Sequence, residues 1–91
     1  MEEKKKFVPN KQVTEFDKPF MNMIGEKLKK LRMDQHMSIS ELSKQTNISR
    51  RTIQLIEEGR VYPQLQLLLS LIHFFNIPYL QFFSELNSEN L

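Results

Sequence analysis

The stretch MSISELSKQTNISRRTIQLIEEG, residues 37–59, decides the fold. Ser38 and Glu41 have the S-x-x-E spacing of a capping box, in which each side chain accepts from the other's backbone N–H at a helix start. Met37 and Leu42 stand at N′ and N4 of the same start, where they form a hydrophobic staple. The helix that follows must be short. Asn47 tolerates the left-handed conformation that ends a helix, Ser49 is a good N-cap, and Ile48 with Ile53 repeats the staple. The next helix then runs from Arg50 to about Glu58 and stops at Gly59.

Outward from this pair the pattern stays helical. Ile24, Leu28 and Leu31 line one face of a preceding helix, with Lys27, Lys29 and Lys30 outside that face. Pro63 bars continuation of the Arg50 helix. A fourth helix is expected over Leu65–Phe75, and a fifth over Pro78–Ser84, with Pro78 in its first turn. No strand pattern competes, and no internal repeat is visible. Residues 1–20 read as an arm with a short helix in which Val13 and Phe16 share a face. Residues 21–84 read as the domain, and residues 85–91 as a polar, frayed tail. The expected fold class is all-α.

Composition narrows the function. The chain has 91 residues, 40% of them apolar and 26% charged, an ordinary balance for one small globular domain. With no cysteine there is no disulfide framework, thiolate metal site or thiol nucleophile. His36 and His73 alone make no metal site, and they read as a turn residue and a residue on a polar stripe. Gly25 and Gly59 are the only glycines, so a glycine-rich phosphate loop is excluded. The opening MEEKKKF lacks the apolar segment of a signal peptide, and a cytoplasmic protein without metal or cofactor is expected. No nucleophile–base set suggests an enzyme.

The net charge of +2 conceals a division. Residues 21–60 carry eight basic against five acidic residues, whereas residues 61–91 have two glutamates and no lysine or arginine. A basic middle suits a polyanion. The uncharged run from Val61 to Ser84 is long enough to span a bilayer. Gln66, Ser70 and His73, however, form a polar stripe opposite Leu65, Leu68, Leu69, Ile72 and Phe75, and Asn76-Ile77-Pro78 breaks the run. That pattern belongs to a core helix in water.

Two short helices joined by a tight turn have helix-turn-helix geometry. Ile53 and Ile56 must face the core, so Arg50, Arg51, Gln54 and Leu55 point away from it. A helix N-terminus presents free N–H groups and a positive dipole end to phosphate, and an arginine fork can bond guanine O6 and N7 together. Gln54 suits base edges or phosphate, and an exposed Leu55 suits a thymine methyl.

The run from Ile24 to Phe83 resembles the Cro/phage-repressor (Xre-type) helix-turn-helix family. The resemblance rests on Ile24-Gly25, Leu28, Leu31-Arg32, Met37-Ser38, Glu41-Leu42-Ser43, Asn47 through Ile53, Ile56-Glu57-Glu58-Gly59, Pro63, Leu68, Ile77-Pro78 and Phe82-Phe83. It implies a compact five-helix, lambda-repressor-like domain that binds near-palindromic double-stranded DNA as a homodimer and regulates transcription, as a repressor. It implies base reading by Arg50, Arg51 and Leu55, with Gln54 beside them. It also implies backbone contacts from Ser38 and Ile39 and from the loop around Arg60; Ser49 and Thr52, at the start of the third helix, are expected to contact the backbone as well. Arg32 and Glu57 match a buried ion pair between the first and third helices.

Some residues depart from the family pattern. Ile39 stands where glutamine is common and offers phosphate no side-chain hydrogen bond. Asn47 replaces a usual glycine. Leu67, Phe74 and Leu80 are bulkier than usual, and read equally as core or as a surface for a second copy or another protein partner, with Val13 and Phe16 of the arm as a second such element. Lys4, Lys5 and Lys6 read equally as a DNA-following arm or a solvated run. Two rivals remain: a protein-interaction module of the same fold, such as an antirepressor or a regulator's cofactor, and a membrane anchor.

Overall fold

A turn at Thr14 sets the first helix in motion. In the computed structural model, which describes residues 12–88, the Thr14 carbonyl accepts from the Asp17 and Lys18 N–H groups at 3.1 and 2.9 Å. Helix α1 then runs Lys18–Asp34 with Pro19 in its first turn, where a missing N–H costs nothing. It thus begins inside the stretch read as an arm. No apolar residue of Lys18–Phe20 is buried, so hydrophobic spacing gives no sign of this start.

Helices α2 (Ile39–Thr46) and α3 (Arg50–Glu57) start as their caps dictate. Ser38 Oγ accepts from the Glu41 N–H at 3.0 Å, and Glu41 Oε1 from the Ser38 N–H at 2.8 Å. Ser49 Oγ accepts from the Thr52 N–H at 3.0 Å. Asn47 takes φ 61° between them. Helix α4 (Leu65–Phe74) and helix α5 (Tyr79–Ser88) complete the all-α architecture.

Three further helix ends use left-handed residues: His36 (φ 58°), Gly59 (φ 69°) and Asn76 (φ 61°). Each closes a Schellman pair of bonds. At the first, the His36 N–H donates to the Met33 carbonyl at 2.9 Å and the Met37 N–H to the Arg32 carbonyl at 3.1 Å. Only Gly59 is glycine, and a Cβ there would run into the Asn22 side chain.

Ile24 and Leu28 of α1, Leu42 of α2, Ile53 and Ile56 of α3, Leu68, Leu71 and Ile72 of α4, and Phe82 and Leu86 of α5 form one core with Ile48 and Phe75. The uncharged run from Val61 is divided between α4 and α5, which bend by 97° about Asn76, and no single helix among the described residues is long and apolar enough to cross a membrane.

Several expectations change here. Helix α5 continues to Ser88, through residues read as tail, because Leu86 falls one turn after Phe82 and both are buried. Leu65 is exposed rather than core-facing; the burial of Leu68, Leu71 and Ile72 turns it outward. Val13 is half-buried, but Phe16 is 91% exposed, so the two do not share a packed face. Leu67 and Phe74 are half-buried against the core, and of the three bulky residues only Leu80, 86% exposed, stands free as surface.

Candidate nucleic-acid interface

Helix α3 is only eight residues long, and packing holds it in place. Ile53 and Ile56 are buried beneath it. The α1 backbone approaches closely at Gly25, where a Cβ would overlap the Ile56 carbonyl and lie 2.6 Å from the Glu57 oxygen. Glycine is required there by space.

Beside Gly25, Arg32 clamps the helix. Its Nε and Nη2 donate to the two Glu57 carboxylate oxygens at 2.8 and 3.0 Å, and its Nη1 donates to the Met37 carbonyl at 2.8 Å. Both side chains are nearly buried. The Glu57 hydrogen bond raises the Arg32 pKa above its ordinary value, against the opposing effect of burial. One guanidinium thus fixes α3 to α1 and to the turn before α2.

With its inner face so occupied, α3 turns Arg50, Arg51 and Gln54 to solvent. Arg50 reaches across to Ser40 of α2 at 3.4 Å. Leu55 is half-buried rather than exposed, since it lies at the edge between the buried and open faces. Ser38 and Ser49 are exposed caps, and Thr52 is half-buried with its hydroxyl accepting from Ser49 at 2.8 Å. Ile39 packs partly against the core, and at that position α2 offers its backbone N–H alone. Gln54 and the exposed Arg60 both bond Glu58, each at 3.3 Å.

The loop after α3 carries contacts that sequence reasoning missed. Lys18 Nζ donates to the Gly59 carbonyl at 2.7 Å and to the Glu58 carbonyl at 3.4 Å, satisfying the helix end from the start of α1. The Tyr62 hydroxyl donates to Asp17 Oδ2 at 2.6 Å and accepts from the Thr14 N–H at 3.1 Å. The segment before α1 is therefore strapped to the loop bearing Arg60.

Away from this face, Lys27 is 6% exposed, pairs with Glu85 at 3.0 Å and lies over the Phe82 ring. His36 and His73 are exposed and far apart in role, one in the α1 turn and one on the polar face of α4. Among the described residues no group of three His, Cys, Asp or Glu side chains is placed to hold a metal ion. Lys4, Lys5 and Lys6 lie outside the described residues.

Comparison with protein families matches residues 28–82, more than half of the chain, to a family described as helix-turn-helix. The chain belongs to the Cro/phage-repressor (Xre-type) helix-turn-helix family. Comparison with curated proteins finds no match. The chain is a DNA-binding helix-turn-helix domain of regulatory type. The matched span takes in the α2–α3 pair, its Arg32–Glu57 clamp and the Arg60 loop.

Proposed function

We propose that the protein is a sequence-specific transcriptional repressor that reads the major groove of double-stranded DNA with α3. The observation that carries this is the exposure of Arg50 and Arg51 together at the first turn of a helix whose opposite face is locked into the core. Each arginine suits the O6 and N7 of a guanine, and Gln54 suits a neighbouring base edge. Leu55, half-buried, retains a surface for a thymine methyl. Backbone phosphate would meet the first turn of α2 at Ser38 and Ile39, the Ser49–Thr52 cap, and Arg60. A homodimer would set two α3 helices about 34 Å apart on a near-palindromic site. Such a protein works in the cytoplasm, with no cofactor.

The test is selection of bound duplexes from a random pool, followed by affinity measurements on the recovered sequence. Arg50→Ala and Arg51→Ala should each weaken binding by about 1–3 kcal/mol and relax preference at one base position. Unchanged affinity in both variants overturns the assignment.

A second reading, a protein-interaction module, is favoured by the exposure of Phe16, Leu65 and Leu80. It predicts tight association with a protein partner and no preferred duplex.

A further inference from the structure

We propose that Glu58 is a specificity-determining residue of the DNA face, holding Gln54 and Arg60 in place and opposing phosphate where the helix is seated off its proper site. This presupposes the DNA-reading role proposed above. Glu58 follows Gln54 by four residues and Arg51 by seven, so it continues the outward stripe of α3. Its two carboxylate oxygens serve two different groups: Oε2 accepts from Gln54 Nε2 and Oε1 from Arg60 Nη1, both at 3.3 Å. Its backbone is fixed in turn, because Lys18 Nζ binds the Glu58 and Gly59 carbonyls. The carboxylate therefore stands on a stationary base between a base-reading side chain and a phosphate-contacting one.

Two consequences follow from charge and geometry. Arg50, Arg51 and Arg60 are exposed on α3 and the loop after it, and the Glu58 carboxylate pairs with Arg60 at 3.3 Å. It competes with phosphate for Arg60, which weakens binding to any duplex. By taking one N–H of Gln54 it also restricts the orientations in which that amide meets a base, which favours one base edge over the others. On the proper site the second effect offsets the first. On arbitrary sequence only the first operates.

The experiment compares Glu58→Ala and Glu58→Gln with the wild type. Each is measured on the duplex selected by the wild-type protein and on a random-sequence duplex of equal length at the same salt. Freeing Arg60 for one more phosphate, at ~0.9 in the salt slope, should raise random-duplex affinity about fivefold near 0.15 M salt in both variants. For Glu58→Ala the ratio of selected to random affinity should fall at least as much. Glu58→Gln retains an acceptor for Gln54 and should lose less of that ratio. A wild-type ratio in Glu58→Ala, with both affinities rising together or neither moving, overturns the proposal. A wild-type protein with no preference for its selected duplex overturns the DNA-reading role, and this proposal with it.

Discussion

Arg32 directs three hydrogen bonds to two partners, two to Glu57 of α3 and one to the Met37 carbonyl in the turn before α2. A nearly buried charge so satisfied becomes costly when its partner is removed. Glu57→Ala should therefore lower unfolding stability by about 3–5 kcal/mol, while replacing both residues with apolar side chains of similar size should cost much less. Chemical denaturation of the three variants distinguishes the cases, and equal losses in single and double variants would contradict this account. Glu85 gives a pH-dependent counterpart. The hydrogen bonds from Lys27, first, and from Gln81 hold its carboxyl below the ordinary glutamate value. A pKa lower in the folded than in the unfolded state contributes stability above the unfolded value, and that contribution is lost as pH falls through the folded one. Glu85→Gln should therefore melt lower than wild type near neutral pH, with the difference vanishing in acid. A difference that persists in acid would point to packing instead. Position 32 and its partner were legible through family resemblance; Lys27 with Glu85 was not, because nothing in local spacing joins residues 58 apart.

Element boundaries were legible where a side chain serves its own helix. Ser38, Glu41 and Ser49 cap within three residues, and the α2 and α3 starts stand where that chemistry puts them. Starts and ends governed from afar were hidden. The beginning of α1 depends on the Thr14 turn and on Asp17 and Thr14 binding Tyr62. The end of α5 depends on Leu86 reaching the core. His36 and Asn76 turn left-handed without the glycine that would have marked them. The α1–α3 contact belongs to this scale as well. Gly25→Ala would push a Cβ into the Ile56 and Glu57 carbonyls, which are backbone and cannot swing aside. Overpacking of this kind costs about 1–3 kcal/mol. Because the displaced element is α3, DNA affinity should fall together with the melting temperature. A variant that melts lower yet binds its selected duplex as wild type would show that α1 does not set the pose of α3.

For the whole molecule, charge is divided by position. Among the described residues the lysines and arginines lie on α1 to α3 and the loop at Arg60, while α4 and the first half of α5 carry no charged side chain. Periodicity predicted that α4 would be amphipathic, but it set Leu65 with the core-facing residues, and Leu65 is exposed. Leu65, Leu68 and Leu69 sit on adjoining faces, and only the packing of α5 and α2 decides among them. The uncharged surface opposes no copy of itself by like charge, and Leu80 stands out from it. If the domain self-associates there, Leu80→Ser should shift sedimentation toward monomer at a concentration where wild type is dimeric, without altering the melting temperature of the monomer. Identical sedimentation of the two proteins would exclude Leu80 from the contact. The brevity of α3 has a practical corollary. Cut out as a synthetic peptide, eight residues lack the length to stay wound in water. Grafting this reader onto another scaffold would thus require transplanting the notch at Gly25 and the guanidinium of Arg32 along with it, since the shape that meets the duplex is lent to the segment by its neighbours.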